Sequence, residues 1–185
     1  MRRLLLIAAL CFLAVATTGC KKAQLRRQLK ELMGSTIVLP EKISCVYNGE
    51  VYPMPDSLRD KAKLIIYIDS TECTTCRISH FWMYRQIQEL SEETGAFELM
   101  LLLADTSFES IPLTRYLSDL DMAMPVYVDM DRSFYRENST VPKGDRRMHS
   151  FLIDRTNRPV YVGDPSQSGA LFSSFKKVLK QVTIS

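Results

Sequence analysis

Two cysteines two residues apart, Cys73 and Cys76, stand in the stretch KLIIYIDSTECTTCRISHFWMY, residues 63–84. A dithiol at this spacing can exchange disulfides, clamp a soft metal, or sit idle in a core. The first two uses need a thiolate, which is both the nucleophile and the metal ligand. They also need one reachable sulfur with a partner held at short range.

The surrounding sequence supplies a frame for that pair. LIIYI (Leu64 to Ile68) is an apolar, β-branched run of the kind buried on both faces of a sheet. A helix is predicted after it, from about Cys76 to Glu93, with Ile78, Phe81, Trp82, Ile87 and Leu90 turned inward. The cysteines then sit at the carboxyl end of a central strand and the start of a helix, where free N–H groups and the helix dipole favour negative charge. STIVLP and ISCVYNGEVYP read as strands, the latter folded back at Asn48-Gly49. Further strands are expected at Phe97 to Leu103 and Pro125 to Asp129. HSFLID and PVYVG read as an antiparallel pair around Thr156 to Arg158. Helices are expected near Pro112 to Ser118 and from Ser168 to Lys180, with an irregular stretch up to Met148. Strands alternating with helices and ending in a hairpin indicate an α/β sandwich with a mixed sheet.

The compartment decides how a CxxC pair is read. The chain opens MRRLLLIAALCFLAVATTGC: two arginines, an apolar run from Leu4 to Ala16, then small residues ending at Gly19 and Cys20. This is the pattern of a secretory signal. The run falls short of the roughly 20 apolar residues that span a bilayer. Cys20 directly after Thr-Thr-Gly resembles the lipobox of bacterial lipoproteins, in which cleavage precedes a cysteine that is then acylated. On that expectation residues 1–19 are a lipoprotein signal peptide, Cys11 leaves with it, and Cys20 becomes the lipidation site. Residues 20–35 are then a lipidated tether helix, and 36–185 the folded domain.

Removing 19 residues from 185 leaves 166, enough for one domain with an ordinary core. The formal charge of +3 falls to about +1 with the loss of Arg2 and Arg3. Near-neutrality, with the basic residues scattered, argues against nucleic acid. The exception is KKAQLRRQLKELMG, with Lys21, Lys22, Arg26, Arg27 and Lys30 beside Leu25, Leu29, Leu32 and Met33 at helical spacing, and Gly34 as a stop. It reads as a short amphipathic helix whose charge lies against anionic headgroups, or as a solvated one.

LIIYIDSTECTTC, MPVYVDMDRSFYREN and MHSFLIDRTNRPVYVG together resemble the thioredoxin superfamily, most closely the TlpA/ResA-like envelope thiol-disulfide oxidoreductases, over residues 36–180. The resemblance implies a thioredoxin-like three-layer sandwich with a mixed central sheet and an N-terminal β-hairpin extension. It also implies that Cys73 attacks a disulfide and Cys76 resolves the mixed species. Three positions depart from the pattern. Met148 stands where a cis-proline is expected, so that peptide should be trans. Tyr67 stands where a buried acid is usual. Glu72, in place of an aromatic, precedes Cys73, and its charge should oppose a Cys73 thiolate. With Thr74-Thr75 between the cysteines, a reducing or middling pair is expected.

The remaining candidates are weaker in chemistry. Met148 and His149 could tune the pair or help dock a substrate. Cys73, Cys76 and His149, with Met148, would make a soft set suited to Cu(I), as in Sco-like copper proteins, although those separate their cysteines by three residues. His80 is expected as a helix histidine, Cys45 as a small core residue, and Phe81-Trp82 as core packing rather than a platform. The reading is a membrane-anchored oxidoreductase facing the periplasm. Its expected partners are envelope proteins with disulfides, an inner-membrane thiol reductase as electron donor, and the membrane through the lipid. No cofactor and no resident metal are implied. The alternative is a thioredoxin-fold binding module or Cu(I)-handling protein without redox turnover. Lys21, in place of an aspartate after the anchor, leans toward the outer membrane.

Overall fold

The computed structural model describes residues 21–69, 72, 74–104, 111–120 and 122–184. Seven strands among them form one sheet: β1 (Ile43–Tyr47), β2 (Glu50–Pro53), β3 (Lys63–Ile68), β4 (Glu98–Ala104), β5 (Val126–Asp129), β6 (Ser150–Ile153) and β7 (Pro159–Val162). Their spatial order is β2-β1-β5-β4-β3-β6-β7. β3, β4 and β5 run parallel, while β6 is antiparallel to β3 and β7 to β6. β1 joins antiparallel to β5, so the N-terminal hairpin extends the sheet at that edge. Asn48 and Gly49 carry positive φ values of 48° and 76°, the twist that a two-residue hairpin requires.

β3 is buried at every position. Its side chains divide by the period of two. Leu64, Ile66 and Ile68 face a core with α2 (Thr74–Ile78), α3 (Arg85–Thr94), α4 (Leu113–Asp119) and α6 (Gly169–Ile184). Ile65 and Tyr67 face the opposite layer, with α5 (Phe134–Glu137) and α1, helical over residues 21–33. The mixed sheet between two covering layers is the three-layer sandwich expected from the sequence.

Three expectations are corrected. STIVLP forms no strand. Its backbone is held instead by the buried Asn138 side chain, which accepts from Val38 N–H at 2.8 Å and donates to the Val38 carbonyl at 2.8 Å. One amide thus satisfies both polar groups of Val38, and Ile37 and Leu39 on either side are freed to enter the core. The helix predicted from Cys76 to Glu93 is broken after Ile78. Ser79 Oγ and His80 Nδ1 lie 2.9 and 2.6 Å from the Cys76 carbonyl, occupying the acceptor that a continuing helix would use. A 3-10 turn over Phe81–Tyr84 then re-aims the chain into α3, which buries Phe81 and Tyr84 but leaves Trp82 73% exposed. Finally, α1 is docked on the domain: Leu32 is fully buried and Leu25 packs against the same core. Leu29 and Met33 remain exposed.

At the far end of β3, away from the cysteine loop, Lys63 is fully buried and donates from Nζ to the Arg59 carbonyl at 2.9 Å and to that of Lys61. Burial lowers its pKa to about 8. The unfolded chain therefore holds more protons than the folded one between pH 8 and 10.5, and Lys63's contribution to stability grows as pH rises through that window. Urea unfolding at pH 7.5, 9 and 10 should show wild type gaining stability relative to Lys63→Met, on the order of 2 kcal/mol across the range. A pH-independent difference between the two would refute this account of Lys63.

Candidate active site

β3 delivers the chain to the site. After Ile68 the buried Asp69 opens a turn in which Glu72 N–H donates to the Asp69 carbonyl at 2.9 Å. Cys76 is the third residue of α2, is exposed, and is disulfide-bonded. Cys73 lies outside the described residues. Because α2 is only five residues long, the aligned peptide dipoles behind the pair are fewer than the unbroken helix expected from sequence would supply.

Glu72 turns inward rather than toward solvent, with a side chain only 6% exposed. Oε1 lies 3.6 Å from His149 Nδ1, and Oε2 lies 3.8 Å from Arg77 Nε and 3.5 Å from Arg146 Nη1. Burial pushes the Glu72 pKa up, but the His149 contact, the Arg77 charge and the Asp69 N–H outweigh it and leave the carboxyl below its ordinary value. Oε2 nonetheless lacks a hydrogen bond. The carboxylate is thus held by charge around it more than by aligned donors.

His149 is buried, its Nε2 2.7 Å from Tyr135 Oη and 2.9 Å from the Pro142 carbonyl. A carbonyl only accepts, so Nε2 carries a proton. Tyr67 lies in the same layer, stacked on Phe134 at 4.5 Å and edge-on to Tyr135 at 4.8 Å. Burial pushes the Tyr67 hydroxyl pKa well up, so it stays protonated at neutral pH. Met148, in the 3-10 turn Arg146–Met148, is buried in that layer's core. No cis peptide bond occurs among the described residues. On the other side Tyr84 Oη donates to Asp164 at 2.9 Å and receives Arg77 Nη2 at 3.4 Å, tying α2 to the turn after β7. Tyr67, Glu72, Arg77, Arg146, His149 and Gly163 are among the walls of a cleft of about 560 Å³.

The structure thus gathers Glu72 and His149 with Arg77, the residue after Cys76, and with Arg146, and turns Met148 into the core. For the copper alternative, His149 has protein partners at both nitrogens and Met148 is turned into the core. Among the described residues no cluster of three His, Cys, Asp or Glu is placed to hold a metal ion. His80 is exposed and bonded to the Cys76 carbonyl rather than partly buried on a helix face. Cys45 is a free, buried thiol, as expected, and burial pushes its pKa up despite a bond to Tyr127. Sequence reasoning missed Arg77, Tyr84, Tyr135, Arg146 and Asp164. The one signal for them was the pair Arg146-Arg147 standing just before MHSFLID.

No protein-family model and no curated protein matches the chain. Solved structures similar to it include a thiol:disulfide interchange protein of the thioredoxin family from Chlorobium tepidum. That protein is 20% identical over 81% of this chain and 98% of the other, with a TM-score of 0.49. Another is the thioredoxin domain of a thiol-disulfide oxidoreductase from Bacteroides vulgatus, 13% identical over 78% of this chain and 98% of the other, with a TM-score of 0.49. The strand order defines the fold by itself: three parallel strands, then two antiparallel ones, with α2 and Cys76 following the strand where the direction changes. It is a thioredoxin-like α/β sandwich.

The cluster gives Glu72 a measurable role. Glu72→Gln leaves Arg77 and Arg146 uncompensated beside the cysteines. The Cys73 thiol pKa should then fall by about one unit, and the couple should become more oxidising by about 30 mV. Alkylation rate against pH and a glutathione redox titration measure the two. An unchanged pKa and potential would mean that the cluster is structural alone.

Proposed function

We propose that the protein is a thiol-disulfide oxidoreductase working through Cys73 and Cys76, held to a membrane by acylated Cys20 and facing the periplasm. The observation that carries the reading is an exposed, disulfide-bonded Cys76 at the carboxyl end of a fully buried strand, beside a cleft whose floor is charged. Cys73 is the proposed disulfide partner of Cys76. In the reduced form the Cys73 thiolate attacks a disulfide sulfur of an envelope protein and displaces one of its thiolates. Cys76 then attacks Cys73, releasing the second substrate thiolate and reforming the Cys73–Cys76 disulfide. The two electrons pass to the substrate and are replaced by a membrane thiol reductase. The exposed Cys76 supports access of such a donor to this disulfide.

Cys73→Ser should abolish reduction of a disulfide substrate. Cys76→Ser should accumulate a mixed disulfide through Cys73, seen as a mass adduct that dithiothreitol releases. Absence of disulfide reduction by wild type, with no adduct in Cys76→Ser, would defeat the enzymatic reading in favour of a binding module, and turnover surviving in Cys73→Ser would remove Cys73 from the attacking role.

The anchor has its own measurement. Cys20→Ala should block acylation, and the protein should be found in the soluble envelope fraction or as an uncut precursor. A mature wild-type protein that is soluble and carries a free Cys20 thiol would sink the lipoprotein assignment.

A further inference from the structure

α1 is fixed against the domain, and its direction is set by contacts at both ends. At its start Lys21, Gln24, Leu25 and Gln28 share a pocket of about 410 Å³ with Pro142, Lys143 and Arg147. Arg147 also lines the cleft beside Glu72 and His149. At its other end Met33 lies beside Asp154 and Thr156 in the β6–β7 turn, and Ile37 N–H donates to the Asn157 carbonyl at 2.8 Å. β6 runs between these two ends: Ser150 pairs with Ile66 near the cysteine segment, and Ile153 pairs with Lys63 at the far end. The start of α1 is therefore at the cysteine end of the sheet, and its thirteen described residues reach about 20 Å toward the opposite end.

Cys20 is one peptide unit, about 3.8 Å between Cα atoms, from Lys21. An acyl anchor on Cys20 would enter the bilayer beside the 142–147 segment rather than beside the β6–β7 turn. That end of the molecule is also basic. Lys21, Lys22, Lys143 and Arg146 are exposed there. Of its nearby acids, Asp145 is taken up by Arg147 in a two-pronged pair at 2.8 and 2.6 Å, Glu72 is buried against Arg77 and Arg146, and Asp164 accepts from Tyr84, which leaves Lys21, Lys22 and Lys143 as the exposed excess. We propose that the docked α1 holds the cysteine end of the domain against an anionic membrane surface, so that the partners exchanging disulfides with it are membrane-embedded or membrane-bound proteins met at headgroup level. The proposal rests on the acylation of Cys20. Exposed lysine and arginine near anionic lipid add attraction of about 1 kcal/mol each, which favours this face over its opposite.

The test uses the full acylated protein in vesicles containing phosphatidylglycerol and a headgroup-quenching lipid. A fluorophore is placed at Gly144→Cys, on the cysteine end, or at Arg155→Cys, on the β6–β7 turn, with labelling done without reductant so that Cys76 stays oxidised. Both sites are exposed, and a side chain at 144 meets no atom within 4 Å. Quenching at 144 is expected to exceed that at 155 several-fold and to weaken when phosphatidylcholine replaces phosphatidylglycerol. Equal quenching, or stronger quenching at 155, overturns the orientation. Mass spectrometry of the same samples separates the two ideas: an unacylated Cys20 defeats the anchor and the orientation together, whereas acylated protein quenched at 155 defeats the orientation alone.

Discussion

The complete burial of β3 on both faces constrains everything around it. A strand so placed can expose polar groups only at its ends, and both of its ends carry chemistry. At the start, Lys63 has no route to water and donates to two backbone carbonyls. At the finish, the chain leaves the sheet through Asp69 and Glu72 into the cysteine segment. The neighbours of β3 differ in direction, parallel β4 on one side and antiparallel β6 on the other. The helix that follows and the loop that precedes β6 therefore converge on the same end of the strand. Tyr67 N–H donating to the His149 carbonyl at 2.8 Å is the stitch that holds them in register.

That convergence explains how the Glu72 carboxylate is accommodated one residue before Cys73, where the proposed chemistry calls for a thiolate. Left alone, Glu72 would raise the cost of a nearby thiolate. Arg77 comes from α2, Arg146 and His149 come from the approach to β6, and all three lie within 3.8 Å of its oxygens. The local charge is then set by a group of four residues rather than by Glu72. Breaking α2 after Ile78 is part of the same arrangement. It lets the Tyr84 hydroxyl accept from Arg77 and donate to Asp164, linking α2 to the turn after β7. The charge around Glu72 is set by side chains drawn from α2 and from the approach to β6.

This division separates what the sequence discloses from what it does not. β3, the Asn48-Gly49 hairpin and the β6–β7 pair were legible because their signals are local: continuous apolar, β-branched runs and short turns. The place of Cys76 at the start of the helix after β3 was legible from the pattern, and the burial of Cys45 from its place in a strand. The inward turn of Glu72 was not, because it depends on Arg146 and His149, more than seventy residues away. Trp82 reads as core only on a continuous helix; two side chains competing for the Cys76 carbonyl shift the phase and turn it out. STIVLP has the composition of a strand, and only the tertiary bond to Asn138 denies it one.

Residues 21–40 belong physically to the sandwich. Leu32, Ile37 and Leu39 are buried among Tyr67, Phe134 and Phe151, covering the face of the sheet opposite α2, α3 and α6. Without them that face would expose a contiguous apolar surface larger than a soluble domain ordinarily leaves open. The segment between the expected anchor and the sheet is therefore short and stiff. On the proposed anchor at Cys20, a flexible tether would let the cysteine end of the sheet sweep a volume around its attachment, whereas a helix packed through Leu25 and Leu32 would hold it in the orientation that the packing dictates. The burial that completes the core would then be the same burial that sets that orientation.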